Sequence, residues 1–185
     1  MNEPATLLEV VRLGHPVLRT TAEPVPDEWF GSGRLDALGR NLIRTMIEES
    51  GVGLAAPQVA EQLRLFSYWL PAADGEAEIA PTVVVNPEIK VVDPDLEEGW
   101  EGCLSIPGLR GMVPRHRRIK LKGRTIDGEQ LSFTADGFHA RVIQHEFDHL
   151  DGVVFLDRMT SAHSLAFEEE WERYILTDVE PSDED

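Results

Sequence analysis

Two histidines spaced for one face of a helix are the residues of this chain best suited to chemistry. His145 and His149 belong to the stretch QHEFDHLDG at residues 144–152. On an α-helix, residues four positions apart share a face, so both imidazoles can bind one metal ion. Glu146 follows the first histidine and is a candidate general base. The spacing therefore predicts a metal-dependent hydrolytic site, which requires a third protein ligand.

The third ligand of such a site can be a histidine, a carboxylate or a cysteine thiolate. A metzincin protease would need a histidine six residues after His149, where this chain has Phe155, so that class is excluded. A thermolysin-like peptidase would take a glutamate such as Glu169, although we expect residues 168–170 to face solvent. Cys103 is the single cysteine of the sequence and the other candidate for the third ligand, and it lies in the segment EGCLSIPG. Spacing alone does not decide between Glu169 and Cys103 as the third ligand.

The composition is that of one globular domain with a strongly acidic charge. The chain has 185 residues, 42% of them hydrophobic and 28% charged. This is enough to enclose one hydrophobic core without disulfides. We expect a single catalytic domain over residues 1–176 and a disordered acidic tail over residues 177–185.

Charge and hydropathy also limit the partners. A formal net charge of -17 would repel phosphate backbones, so direct binding of nucleic acid is not expected. The N-terminal residues show no basic segment followed by a long apolar run, and no stretch is apolar enough to cross a bilayer. These features favour a cytoplasmic protein without a membrane partner.

The elements that position the candidate site predict an α+β fold. Apolar residues recur at helical spacing over residues 35–47, with Ser32 as a cap and Gly51 and Gly53 as the stop. Strands are predicted at residues 63–70, 82–85, 89–92, 118–122 and 131–133. The pair Asp127-Gly128 between the last two predicts a hairpin and hence an antiparallel sheet.

The histidine-bearing helix is expected to begin after Asp136 and to end at Gly152 in a left-handed conformation. Apolar residues on nearly all of its sides indicate that this HExxH helix is central, with antiparallel or mixed β-sheets around it. A further C-terminal helix is predicted from the spacing of Phe167, Trp171 and Tyr174.

Three motifs, in this order along the chain, resemble those of the peptide deformylases. They are GVGLAAPQ at residues 51–58, EGCLS at residues 101–105 and QHEFDHLDG at residues 144–152. Each motif is modest alone, but the three in order are specific, and the similarity extends over residues 7–159. The chain is similar to the shorter bacterial form, which lacks a long insertion between the first two motifs. The resemblance implies a hydrolase that removes the formyl group from N-formylmethionyl nascent peptides and releases formate.

The resemblance also implies roles for individual residues of these motifs. The metal would be bound by Cys103, His145 and His149. It would be ferrous iron, for which zinc, nickel or cobalt can substitute. Glu146 would act as acid and base. The Gln58 side chain and the Leu104 backbone N–H would stabilise the oxyanion.

Substrate contacts are expected along the cleft. The resemblance implies that the Gly53 backbone would hold the peptide, and Arg110 matches a family position at the rim that can contact the peptide backbone. Phe138 and Val142 precede the first histidine on the same helical face, so we expect them to line the pocket for methionine. The opposite wall would be formed by Gly51, Val52, Gly53 and Leu54.

Glu101 and Arg115 are expected to fix the cysteine loop, because ligand-bearing loops usually need such support. Two alternatives to a deformylase stay open. One is a zinc peptidase that uses Glu169 as its third ligand. The other is an inactive relative that binds formyl peptides, although the presence of Glu146 and Gln58 argues against it. A deformylase would meet nascent chains near the ribosomal exit, and the acidic C-terminal region favours encounter by diffusion over docking on RNA.

Overall fold

The computed structural model describes residues 4–72 and 77–176, and the acidic tail predicted at residues 177–185 lies outside them. The strands are β1 Gly53–Ala55, β2 Leu65–Leu70, β3 Ile79–Cys103, β4 Ile106–Arg124, β5 Gln130–Asp136 and β6 Ala166–Phe167. The α-helices are α1 Gly33–Glu48, α2 Gly137–Leu150, α3 Phe155–Arg158 and α4 Glu168–Trp171. Within the described residues, none of the helices has the length and apolarity to cross a membrane. The predicted α+β class is confirmed.

Antiparallel pairing in the order β1-β2-β3-β4-β5 builds the sheet, and β6 pairs with β4. β3 has 25 residues and pairs with β4 from Val85 to the turn at Cys103. Register shifts interrupt this pairing, and one of them lies on each side of Asp93. Such bulges bend a strand and disturb the alternation of its side chains. Residues 82–85 and 89–92 were predicted as separate strands, but both belong to β3, which continues through the register shifts.

Alternation along the strands divides the side chains of the sheet between two cores. Leu65 and Val83 lie in the core that contains α1, whereas Phe66 and Val84 lie in the core that contains α2. The same alternation places the side chain of Leu54, in β1, fully buried in the α1 core. α1 and α2 therefore cover opposite faces of the sheet.

α1 ends at Glu48, just before the predicted stop at Gly51 and Gly53. Ser32 caps the start as predicted, and Ser50 adopts the left-handed conformation after the end, with φ 58°. The Ser50 N–H donates to the Ile47 carbonyl at 3.0 Å, and the Gly51 N–H donates to the Met46 carbonyl at 2.8 Å. This is a Schellman motif, for which glycine is preferred but not required.

The end of α2 repeats this motif with the glycine that was predicted. Gly152 has φ 72°, and its N–H donates to the His149 carbonyl at 3.3 Å. The Val153 N–H donates to the Asp148 carbonyl at 3.0 Å. The motif satisfies carbonyls of the last helical turn and directs the chain away from the helix that carries the histidines.

The C-terminal segment departs from the predicted amphipathic helix. α4 covers a single turn and is followed by a π-helical turn, Glu172–Leu176. Phe167 lies in β6 with 69% of its surface exposed, and Tyr174 is 57% exposed. Trp171 packs near Trp100, with 6.0 Å between ring centroids. Phe167 belongs to β6, which pairs with β4, and not to a helix. Phe167, Trp171 and Tyr174 therefore do not form one buried helical face.

Replacement of Gly152 by alanine should destabilise the protein for two reasons. A Cβ at this position would lie 2.8 Å from the carbonyl carbon of Arg19, and φ lies in the left-handed region. We expect a loss of about 3 kcal/mol in the free energy of unfolding, measured by urea denaturation.

Gly31→Ala is the matched control, because Gly31 has φ +68° and a Cβ there would meet nothing within 4 Å. This variant should lose about 1 kcal/mol from backbone strain alone. Equal losses in the two variants would show that the close approach of Arg19 does not limit this position.

Candidate metal centre

Cys103, His145 and His149 come together where the turn between β3 and β4 meets α2. Their ligand atoms all lie within 4.8 Å of one another, and both histidines are buried. Cys103 Sγ lies 3.4 Å from His149 Nε2. Two ligands of one tetrahedral ion, with a metal–sulfur distance of about 2.3 Å and a metal–nitrogen distance of about 2.0 Å, would lie about 3.5 Å apart. The three residues therefore fit a divalent metal.

Glutamates of α4 do not join this cluster. Among residues 4–72 and 77–176, the group of potential ligands contains Cys103 and not Glu169, which is exposed. Glu168 does not face solvent freely as expected, because it is half-buried and accepts a hydrogen bond from Arg110 Nε at 3.0 Å. The peptidase alternative requires Glu169 as a ligand and finds no support in this arrangement.

The protonation tendencies of the two histidines differ in a way that also fits a cation. Burial lowers the pKa of His149 well below its ordinary value. Burial also opposes a charge on His145, but hydrogen bonds with Cys103 and Glu101 outweigh it and raise its pKa well above the ordinary value. The region between His145 and Cys103 thus favours positive charge, which a metal ion would supply in place of a proton.

A buried carboxylate, that of Glu101, holds the first histidine. Glu101 Oε2 lies 2.9 Å from His145 Nδ1. Arg115 Nε and Nη2 each donate to a carboxylate oxygen at 2.9 Å, and Arg141 Nη1 donates to Oε1 at 3.0 Å. Burial alone would raise the pKa of Glu101, but the hydrogen bonds from Arg115 and His145 outweigh it and hold the pKa well below its usual range. Glu101 is therefore charged at neutral pH.

The same network continues to α3. Arg115 Nη1 donates to Asp148 Oδ2 at 2.5 Å, and Arg158 Nη2 donates to Asp148 Oδ1 at 2.7 Å. Sequence reasoning named Arg115 but missed Asp148 and Arg158. The position of Asp148 inside the histidine motif, next to His149, was the signal available for it. No local pattern indicated Arg158.

Arg141 was also missed, although it precedes His145 by one helical turn and so shares its face. Its guanidinium donates to the Glu97 carbonyl at 2.6 Å and to the Val113 carbonyl at 2.7 Å. A Cβ at Gly99 would lie 2.7 Å from the guanidinium carbon. Arg141 therefore ties β3 and β4 to the helix that carries the histidines.

Gln58 has a fixed orientation beside the cluster. Its Oε1 accepts the Ala55 N–H at 2.8 Å, which directs Nε2 toward Cys103 Sγ, at 3.4 Å, and Ser105 Oγ, at 3.2 Å. The side chain is buried and lines the cleft in front of the metal ligands. Ser105 was not singled out from the sequence, although it belongs to the EGCLS motif.

Glu146 is a buried carboxylate of a different kind. It is 4% exposed, and its Oε2 has no hydrogen-bond partner among the described residues. A Cβ at Gly53 would lie 2.2 Å from Oε1, so the carboxylate packs directly on the β1 backbone. Burial raises the pKa of Glu146 to about 7. A cation nearby would lower this pKa. A carboxylate with this pKa can both accept and release a proton near neutral pH.

A cleft of about 540 Å³ opens in front of these groups. Residues predicted to contact substrate that line it are Gly51, Val52, Gly53, Arg110, Phe138 and Val142. Leu104 lies close to Gly51, where a Cβ would come 2.9 Å from Leu104 Cδ1. Leu54 does not line the cleft, and the prediction that it forms part of the pocket wall is wrong. Alternation along β1 turns its side chain into the α1 core.

Comparison with known proteins agrees with this geometry. A family model described as polypeptide deformylase matches residues 7–164. Peptide deformylase 2 of Pseudomonas syringae pv. tomato is 44% identical over 161 residues, which cover 85% of this chain and 90% of that protein. Peptide deformylase 2 of Nostoc sp. is 42% identical over 172 residues, covering 91% and 95% respectively. A class I type b peptide deformylase from Acinetobacter baumannii with Met-Ala-Ser bound has a TM-score of 0.80 and 37% identity, covering 84% of this chain and 100% of that chain.

Arg115→Leu should weaken both the fold and the metal centre. The change leaves Glu101 and Asp148 buried without their shared cation, and removal of one partner of a buried pair costs about 3 kcal/mol. Metal affinity should fall by about tenfold or more, because Glu101 would lose the guanidinium that binds both of its oxygens and fixes it behind His145. Urea denaturation and the metal content of the purified protein measure the two effects.

Arg118→Leu is the matched control on the same strand, because the Arg118 side chain is 53% exposed and pairs with an exposed Asp136. It should change the free energy of unfolding by less than about 1 kcal/mol and leave the metal content intact. Normal metal content in Arg115→Leu would contradict the supporting role of this network.

Proposed function

The chain belongs to the peptide deformylase family and is a metal-dependent hydrolase that removes the N-formyl group from nascent peptides, and from this premise we propose roles for its residues. One observation carries the proposal: three potential ligand atoms lie within 4.8 Å of one another, beside a buried carboxylate and a fixed amide. Cys103, His145 and His149 would hold the metal. Bound there, the metal would polarise the formyl carbonyl and lower the pKa of the attacking water.

Ferrous iron is the proposed metal, with zinc, nickel or cobalt able to substitute. One sulfur and two imidazole nitrogens form a donor set that binds all of these ions. The sulfur of Cys103 is only partly buried, so a ferrous form should be sensitive to oxygen and peroxide.

Glu146 carries the proton in the proposed reaction. Its carboxylate accepts a proton from the water that attacks the formyl carbon and then delivers a proton to the departing amine nitrogen. The carbon–nitrogen bond breaks, formate is released and the peptide retains a free amino group. Burial of this carboxylate, which raises its pKa, and its Oε2 atom without a partner among the described residues support the assignment.

The formyl oxygen gains negative charge as the water attacks, and two donors are proposed to stabilise it. Gln58 offers its Nε2–H, since its Oε1 is engaged by the Ala55 N–H. The Leu104 backbone N–H, in the turn after Cys103, is the second donor. Loss of one such donor typically costs about 3 kcal/mol in the barrier.

The substrates are proposed to be N-formylmethionyl peptides. Phe138 and Val142 would line the methionine pocket, with Gly51, Val52 and Gly53 opposite. The Gly53 backbone would hold the peptide, and Arg110 would contact it at the rim. Support comes from the position of these residues along one cleft and from the Acinetobacter baumannii relative that has Met-Ala-Ser bound.

We propose that the enzyme works in the cytoplasm, where it meets nascent chains near the ribosome. Its net charge of -17 would repel ribosomal RNA. Encounter with the emerging peptide by diffusion therefore fits this chain better than stable docking.

Formate release from formyl-Met-Ala-Ser by anaerobic, iron-loaded protein tests the proposed function. Glu146→Gln should lower the rate by about 100-fold or more while metal content stays normal, because the proton carrier alone is lost. Gly53→Ala should act similarly, since a Cβ there would displace the Glu146 carboxylate.

Glu170→Gln makes the same chemical change at an exposed residue and should leave the rate unchanged. Failure of the iron-loaded protein to release formate would overturn the function. Full activity in Glu146→Gln would overturn the assignment of the proton carrier.

Phe138→Ala should reduce the preference for formyl-Met over formyl-Ala peptides. Phe138 is 55% exposed and Val142 is 5% exposed, so the aromatic ring covers the open side of the proposed pocket. We expect the ratio of kcat/KM values for the two peptides to fall by about fivefold. Phe167→Ala removes an exposed ring outside the cleft and should not change this ratio. Equal discrimination by Phe138→Ala and the unmodified enzyme would refute the pocket assignment.

A further inference from the structure

The segment that follows the family match reaches the substrate cleft. The match ends at residue 164, and β6 lies beyond it. β6 pairs with β4 through Leu109 and Arg110, which brings Glu168 next to Arg110. Glu168 and Arg110 both line the cleft. This part of the cleft is thus formed by Arg110, inside the matched region, together with Glu168, which lies outside it.

Arg110 is held on three sides. Its Nε and Nη2 both donate to Glu168 Oε1, with the Nε contact at 3.0 Å. Its guanidinium carbon lies 5.3 Å from the centroid of the Trp171 ring. A Cβ at Gly102 would lie 2.8 Å from Arg110 Nη1, so the guanidinium rests on the backbone of the cysteine loop. The side chain has a defined position even though it is 33% exposed.

The ion pair sets the charge that a peptide meets at the cleft. Among the described residues, the arginines and lysines that line the cleft are Arg110 and Arg141. Arg141 is bound to the buried Glu101. Arg110 is neutralised by Glu168, and Glu49 adds a further negative charge to the lining. A carboxylate on the part of the substrate beyond the metal therefore finds no arginine here without an acidic partner.

We propose that Glu168 is a specificity-determining residue for the part of the substrate that follows methionine. It keeps Arg110 on Gly102 and neutralises it, so that acidic side chains of the substrate gain no ion pair at the cleft. The proposal rests on the deformylase function and concerns the selection of peptides by that same site.

Glu168→Gln tests the proposal with two amide-capped substrates, formyl-Met-Glu-Ser and formyl-Met-Gln-Ser. The variant should raise the ratio of kcat/KM for the glutamate peptide over the glutamine peptide by about threefold, the scale of a partly exposed ion pair. The double variant Arg110→Gln with Glu168→Gln should return the ratio to its original value. The gain should shrink in about 1 M salt, where the Debye length is about 3 Å.

Glu169→Gln is the matched control, because it removes the same charge from an adjacent exposed residue. An equal rise in this control would indicate a general effect of net charge and would overturn the proposal. An unchanged ratio in Glu168→Gln, with both peptides hydrolysed normally, would also overturn it while leaving the deformylase function intact. Absence of hydrolysis of either peptide by the unmodified enzyme would instead count against the proposed function.

Discussion

The buried charge of Glu101 is the constraint on which the metal centre depends. Its side chain is 4% exposed, and a carboxylate removed from water costs several kcal/mol unless it is fully paired. The partners come from different elements: Arg115 from β4, and Arg141 and His145 from α2. The charge is thus fully paired only when the β3–β4 hairpin is docked on α2. That docking also brings Cys103 to the histidines, so the ligands cannot be assembled separately.

The long hairpin allows one pair of strands to serve both the core and the site. β3 pairs with β2 near Val84, in the apolar core, and ends at Cys103 beside the histidines. A flat strand of 25 residues would run past a domain of this size, whereas register shifts near Asp93 and Leu96 let it bend. Arg141 then binds carbonyls on both strands of the bent region, which fixes the hairpin against α2.

The sequence predicted features that depend on local spacing and was weaker where distant segments meet. Helical periodicity identified α2, its end at Gly152 and the pairing of His145 with His149, because one element determines all three. The choice of Cys103 as the proposed third ligand needed the family resemblance, since no local rule distinguishes Cys103 from Glu169. Leu54 was misassigned because the face of a short strand follows from its pairing register, which a motif does not encode.

The contacts that charged side chains make were the hardest to predict from the sequence. The partners of Arg141 are mainly backbone carbonyls on two strands, and carbonyls leave no signature in a sequence. Glu168 belongs to a run of identical residues, and only the pairing of β6 with β4 distinguishes it from Glu169. Periodicity assigned the whole run to solvent, although one of its members lines the cleft.

Two glutamates with similar burial are suited to different tasks because their neighbours differ. Glu101 and Glu146 are 6% and 4% exposed, so desolvation raises the pKa of both. Hydrogen bonds from Arg115 and His145 reverse that effect for Glu101, which becomes a permanent anion. Glu146 has one oxygen without a partner among the described residues, and its pKa stays near 7. Environments that push two carboxyl groups apart in pKa suit one for anchoring and the other for proton transfer. The fold thereby gives the same side chain the properties of a structural anion at Glu101 and those of the proposed proton carrier at Glu146.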